Sequence, residues 1–112
     1  MLWQHQEQFL KKQSSQICSS KLNKGMKISE FQKVIAERYE KRDLQRGTPA
    51  TFMWFIEEVG ELATALSGSE QENKEEEFAD VFAWLCTLAN INGVDLEKAC
   101  EKYTVNGVEG FK

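Results

Sequence analysis

The sequence predicts an all-α protein, and three observations support this class. The chain of 112 residues contains one proline. Apolar residues recur at helical spacing over long uninterrupted segments, and no alternation typical of strands competes with them. The apolar stripes are too broad for about four helices of one chain to cover, because they include Phe52, Phe55, Phe78, Phe82 and Leu85. We therefore expect a helical bundle of about four helices completed by homodimerisation. The sequence leaves open whether two dimers pair into a tetramer.

The N-terminal segment differs from the rest of the chain in composition. Gln and Ser are common there and interrupt any apolar face. One short amphipathic helix fits the spacing of Leu2, Trp3, Gln6, Phe9 and Leu10. We therefore divide the chain into residues 1–25, an extension whose order the sequence leaves open, and residues 26–112, a helical domain.

The first helix of the domain begins at a capping signal. Ser29 followed by Gln32 is typical of a capping box. The apolar face of this helix comprises Ile28, Phe31, Val34, Ile35 and Tyr39. We expect the helix to end near Arg42, because residues 41–47 are basic and turn-like.

The second helix has a clear start and a clear end. Thr48 is a typical N-cap, and Pro49 suits the first helical position. The apolar pattern continues to about Ser67, and a polar loop over residues 68–73 follows.

The third helix is predicted from about Lys74 to Asn90, with Asn92-Gly93 as a left-handed stop. Asp95 then caps a short fourth helix. Its inward face is predicted to hold Leu96, Ala99, Cys100 and Tyr103. The tail from residue 106 is expected to be irregular.

Two acidic pairs are the main chemical signal in the sequence. Glu58 and Glu61 lie on the second helix, Glu77 and Asp80 lie on the third, and the members of each pair are three residues apart. Residues at this spacing share one side of a helix, and both pairs lie on the same flank of their apolar stripes. If the helices pack antiparallel, four carboxylates converge at the edge of the apolar seam and repel one another. An all-oxygen ligand set suits Mg²⁺ first, Mn²⁺ next and then Ca²⁺.

Composition excludes several functional classes. The formal net charge of −4 argues against binding to a nucleic-acid polymer, which usually requires a basic face. No apolar run is long enough for a membrane span or resembles a secretory signal. Three cysteines without paired spacing indicate neither a disulfide framework nor a zinc site, and Cys86 and Cys100 are assigned to packing. We expect a cytoplasmic protein.

The acidic motif resembles that of a known family. Glu57-Glu58-Val59-Gly60-Glu61 and Glu77-Phe78-Ala79-Asp80 are similar to the Glu-Glu-x-x-Glu and Glu-x-x-Asp motifs of the MazG-like nucleoside triphosphate pyrophosphohydrolases. The resemblance extends over residues 26–106. It implies that Glu58, Glu61, Glu77 and Asp80 bind Mg²⁺. It also implies hydrolysis of a nucleoside triphosphate between its α and β phosphates, with release of pyrophosphate.

Further candidates surround the acidic motif. Glu57 is a candidate for orienting the attacking water, beside Glu58 and Glu61, or for a contact across the dimer. Trp54 and Trp84 lie one turn from the acids and are candidates for stacking on a base, although core or interface packing is the commoner role. The substrate-binding candidates are completed by Lys98, Lys102 and Asn106, where the family carries a similar tail.

Arg42 and Arg46, which precede the second helix, are assigned to surface or capping roles, with contact to phosphates or base edges as the alternative. They are therefore not placed among the main substrate-binding candidates.

Two other functions compete with this interpretation. A non-catalytic helical module for dimerisation or protein docking would use the acids only for solubility, because acids at a helix start are commonly solvated. A di-iron carboxylate bundle requires Glu-x-x-His pairs. His5 is the only histidine, so the sequence does not favour the di-iron hypothesis.

Overall fold

The computed structural model describes residues 25–105 of the chain. They form three long helices and two single helical turns: α1 (Ile28–Arg46), α2 (Thr48–Leu66), α3 (Gln71–Ile91), α4 (Leu96–Ala99) and α5 (Glu101–Thr104). This confirms the all-α class, since no strand occurs in this part of the chain. The predictions for the N-terminal extension and for Asn106 and the tail after it lie outside the described residues.

Both predicted ends of α1 were wrong. The backbone N–H of Lys27 donates to Glu30 Oε1 at 3.4 Å, so Glu30 makes the backward contact that the sequence assigned to Gln32. The backbone N–H of Ser29 donates instead to Glu97 Oε1 at 3.1 Å. The helix also continues through the basic segment to Arg46, because Arg46 pairs with a buried carboxylate one turn earlier.

Gly47 alone connects α1 to α2. Its φ of 82° lies in the left-handed region, which glycine adopts without steric cost. Thr48 is the first helical residue and not the N-cap as predicted, and its hydroxyl accepts a hydrogen bond from Asn92 Nδ2 at 3.2 Å. The helix ends at Leu66, within one residue of the prediction.

Helices α2 and α3 form an antiparallel hairpin. Contacts between Thr48 and Asn92 at one end and between Trp54 and Trp84 further along define the direction. Helix α3 begins at Gln71, three residues before the predicted start, because acidic residues favour the first turn of a helix. It ends at Ile91, and Gly93, with φ of 67°, makes the predicted left-handed stop.

Helix α1 packs across α3 through a small core. The core holds Ile35 and Tyr39 from α1 and Ala83 and Cys86 from α3. Gln32 adds a polar connection that was not expected from the sequence. Its Nε2 donates to the Val94 carbonyl at 2.6 Å and its Oε1 accepts from the Leu96 N–H at 2.9 Å. Gln32 thus ties α1 to the turn after α3.

The buried face of α2 is not its apolar stripe. Thr51, Glu58 and Ala65 are its buried residues, whereas Phe52 and Ile56 are each 50% exposed. The acidic flank therefore faces α3, and the expectation of an apolar seam with acids at its edge was wrong.

The apolar residues form a separate exposed face. As expected, the described chain leaves Phe52, Phe78 and Leu85 exposed, while Phe55 and Phe82 are partly exposed. Dimerisation through this face stays a prediction.

The chain after α3 forms two separate turns. Asp95 Oδ1 accepts a hydrogen bond from the Lys98 N–H at 3.2 Å, as predicted for an N-cap. Leu96 packs on the core, but Ala99, Cys100 and Tyr103 are exposed. Their predicted inward face was wrong, because the helix breaks at Cys100 and forms no continuous stripe. None of the helices in the described range has the length and apolar character needed to cross a membrane.

Candidate functional site

Three of the predicted metal ligands lie together in the α2/α3 seam. One carboxylate oxygen from each of Glu58, Glu77 and Asp80 lies within 4.8 Å of the other two. Glu77 and Asp80 share one face of α3 because they are three residues apart. The antiparallel hairpin places Glu58 of α2 opposite them. We call these three residues the carboxylate cluster.

The cluster is buried. Glu58 is 2% exposed and Asp80 is 6% exposed. Glu77 as a whole is partly exposed, but its Oε2 oxygen is buried, as are Glu58 Oε2 and Asp80 Oδ2. Such acids therefore differ from the solvated acids that commonly begin a helix.

The remaining predicted acids are more exposed. Glu61, one turn after Glu58, is partly exposed and does not belong to the group whose oxygens lie within 4.8 Å among the described residues. Glu57 is exposed. Their roles as fourth ligand and as catalytic group stay predictions.

The chemistry of the cluster fits a hard divalent cation. At 4.8 Å and an effective dielectric constant of about 20, two ionised carboxylates repel by about 3 kcal/mol. Burial limits the water that could reduce this repulsion. A divalent cation offsets it, and a donor set made only of carboxylate oxygens is one that Mg²⁺ and Mn²⁺ accept.

Two tryptophans form the next layer of the seam. Trp54 precedes Glu58 by one turn and Trp84 follows Asp80 by one turn, and their ring centroids lie 6.4 Å apart with an interplanar angle of 21°. Trp84 is buried and Trp54 is partly exposed. Of the two rings, Trp54 therefore has more surface for an aromatic ligand.

A buried ion pair follows the tryptophans. Asp43 is fully buried, and Arg46 Nη1 donates to Asp43 Oδ1 at 3.0 Å and to Thr51 Oγ1 at 3.4 Å. The Arg46 guanidinium also lies 5.0 Å from the Trp84 ring centroid. Burial raises the pKa of the Asp43 carboxyl above its ordinary value, and the charge of Arg46 and hydrogen bonds from Arg46 and Thr87 oppose this shift.

Sequence reasoning missed this pair. It assigned Arg46 to surface or capping roles and gave Asp43 no role. The signal that could have found it is the Asp–Arg spacing of three residues, which places the two side chains on one helix face. Spacing alone does not distinguish a buried pair from an exposed one, so the prediction also needed the position of α3.

The lysine candidates lie outside the hairpin. Lys98 and Lys102 are exposed, on α4 and α5, and the Lys102 ammonium lies 4.8 Å from the Tyr103 ring centroid. Their substrate contacts stay predictions.

Comparison with known proteins identifies a family for this hairpin. A family model described as the MazG nucleotide pyrophosphohydrolase domain matches residues 46–105, which is more than half of the 112 residues. The matched range contains α2 and α3, and with them the carboxylate cluster and both seam tryptophans. No curated protein matches the chain.

Proposed function

We propose, from the premise that the chain belongs to the MazG nucleotide pyrophosphohydrolase family, that it is a Mg²⁺-dependent nucleoside triphosphate pyrophosphohydrolase. Its reaction hydrolyses a ribo- or deoxyribonucleoside triphosphate between the α and β phosphates, giving the monophosphate and pyrophosphate. The observation that carries the proposal is the buried carboxylate cluster, with oxygens within 4.8 Å. Buried like charges destabilise the folded state unless a cation neutralises them, and a metal-dependent reaction uses such a cation.

The acids of the seam hold the cation in this proposal. Glu58, Glu77 and Asp80 supply buried oxygens, and Glu61, on the partly exposed side, completes the set. Bound Mg²⁺ supplies neutralising charge at the phosphate oxygens as the anhydride bond breaks. Glu57, which is exposed, is the candidate for orienting the attacking water.

The remaining candidates bind the nucleotide. Trp54, partly exposed, stacks on the base, and the buried Trp84 supports it from behind as the second ring of the stack. Lys98 and Lys102 are assigned to the phosphates and Asn106 to a base edge. We place the activity in the cytoplasm, where it would remove unwanted nucleotides from the pool.

A homodimer is the assembly we propose, with a tetramer left open. Phe52 and Ile56 on α2 and Phe78 on α3 are half exposed, and a second copy would cover this apolar face. Sedimentation velocity tests the assembly. Ile56→Glu should convert the dimer to a monomer, whereas a wild-type protein that is monomeric at micromolar concentration would contradict the proposal.

Pyrophosphate release is the direct test of the activity. A panel of ribo- and deoxyribonucleoside triphosphates, assayed with Mg²⁺ and with EDTA, should show metal-dependent release of pyrophosphate by the wild type. Asp80→Asn keeps the side-chain shape but removes one charge of the cluster, so turnover should fall by roughly 10²-fold or more. Glu75→Gln makes the same kind of change at an exposed position of α3 and should leave turnover unchanged. Absence of turnover for every nucleotide would contradict the proposal.

A further inference from the structure

The buried ion pair at the α1/α2 junction holds a guanidinium beside the candidate site. Asp43 is 0% exposed, and burying an aspartate without neutralising it is costly. Its Oδ1 accepts from Arg46 Nη1 at 3.0 Å, and the same nitrogen donates to the buried Thr51 hydroxyl at 3.4 Å. The guanidinium is further fixed by its contact with the Trp84 ring. Arg46 therefore has a defined orientation.

The guanidinium keeps donors for another molecule. Within the described residues, the two hydrogen bonds that the Arg46 guanidinium donates both come from Nη1. A guanidinium has five N–H groups, and those on Nη2 and Nε have a fixed planar arrangement that suits an oxygen acceptor. The side chain is 15% exposed, so it is not sealed from solvent.

The position of Arg46 suits a nucleotide that spans the seam. The hydrogen bond to Thr51 places the Arg46 guanidinium at the level of Thr51 on α2. Thr51 precedes Glu58 by seven residues, which corresponds to about 10 Å along the helix axis. The Trp54/Trp84 stack lies between these two levels. A nucleotide whose phosphates lie at the carboxylate cluster and whose base lies at Trp54 extends over a comparable distance.

We propose that Arg46 contacts the substrate through an oxygen acceptor of the nucleotide, and that Asp43 is the positioning residue that orients it. The inference rests on the proposed nucleotide substrate. With the phosphates at the carboxylate cluster, the acceptor is a carbonyl oxygen of the base; with the nucleotide reversed along the seam, it is an oxygen of a phosphate. Both offer the same chemistry to a guanidinium, and binding experiments distinguish them.

Product binding tests the contact without requiring turnover. Isothermal titration of the full chain with nucleoside monophosphates of different bases, and with inorganic pyrophosphate, is carried out in the presence of Mg²⁺. Arg46→Lys keeps the charge but loses the planar fork, so affinity should fall roughly 10- to 100-fold, the loss of one charge-assisted hydrogen bond. A loss that depends on the base identifies a base carbonyl. An equal loss for all monophosphates, or one shared with pyrophosphate, identifies a phosphate oxygen.

A double variant separates binding from stability. Asp43→Asn alone keeps the guanidinium but removes the carboxylate that orients it, so affinity should fall in a protein that still unfolds cooperatively in urea. Asp43→Asn combined with Arg46→Gln leaves a neutral amide pair at this position, and its affinity should stay low. Wild-type affinity in either variant would mean a structural role only and would overturn the proposal. Arg38→Lys makes the same chemical change two turns earlier on α1 and serves as the matched control.

Unchanged affinities in Arg46→Lys, or a wild-type protein that binds no monophosphate and no pyrophosphate, would also overturn the inference. The proposed activity is judged separately, by release of pyrophosphate from the wild type. A protein that turns over nucleotides but tolerates Arg46→Lys therefore refutes only the present inference.

Discussion

Neutralising one member of the carboxylate cluster should have opposite effects on stability with and without metal. The three oxygens lie within 4.8 Å of one another, so each ionised pair contributes about 3 kcal/mol of repulsion at an effective dielectric constant of about 20. Glu58→Gln keeps the side-chain shape and removes two of the three pairs. Relaxation and protonation reduce the gain, but at least about 1 kcal/mol should remain, which raises the melting temperature in EDTA by roughly 4–8 °C.

Mg²⁺ should reverse this order. A cation that binds only the folded wild type at a concentration about 100 times its Kd adds about 2.7 kcal/mol of stability. Glu58→Gln has lost a ligand and should gain less. Thermal unfolding followed by circular dichroism in EDTA and in Mg²⁺ measures both effects. Glu75→Gln, at an exposed position of α3, is the control and should change stability by less than about 0.5 kcal/mol in either solution.

Two results would refute this reasoning. If Glu58→Gln were the more stable protein by the same amount in both solutions, the cluster would bind no cation, which would favour the non-catalytic interaction module. If Glu58→Gln were the less stable protein in EDTA, repulsion would not dominate the energetics of the cluster.

Three further predictions follow from buried groups. Burial raises the pKa of Asp43 above 3.8, so the folded state binds the carboxyl proton more tightly than the unfolded state does, and the contribution of Asp43 to stability falls as the pH rises through the raised pKa. Urea unfolding between about pH 3 and pH 8 should show that Asp43→Asn lacks this decline. Parallel plots of unfolding free energy against pH for the two proteins would contradict the prediction. Burial raises the pKa of the Cys86 thiol to about 12, and the thiolate is the form that reacts with iodoacetamide. Mass spectrometry of the folded protein should therefore show that the exposed Cys100 is labelled much faster than Cys86. Equal labelling rates would contradict the prediction. Gln32→Leu removes the acceptor of the Leu96 N–H and should lower the free energy of unfolding by about 1–3 kcal/mol, whereas unchanged urea unfolding would refute the role of this contact.

The hairpin was predictable from the sequence because its signals are local. Pro49 marks the start of α2, and the polar residues after Leu66 mark its end. The spacing of the acids placed Glu77 and Asp80 on one face of α3. Periodicity could not show which flank of α2 meets α3, because the apolar stripe and the acidic flank of a helix compete for burial. The structure buries Glu58 and leaves Phe52 half exposed.

The features that sequence reasoning missed depend on contacts between distant parts of the chain. Gln32 was interpreted as part of a cap, yet its partners lie near the C-terminal end of α3, about 60 residues away. Asp43 and Arg46 lie in a segment that is rich in charge and resembles a turn. Burial against α3 extends the helix through them, and local propensity does not include this effect.

The single-residue connection at Gly47 makes the first half of the domain intolerant of changes in length. One residue inserted near the start of α2 would rotate the rest of that helix by about 100° relative to α1, so Arg46 and Glu58 would no longer belong to the same surface. The connection between α2 and α3 is different, because residues 67–70 are exposed. Evolution or design can therefore lengthen the domain there, between the helices that carry the acids, and must conserve the number of residues before them.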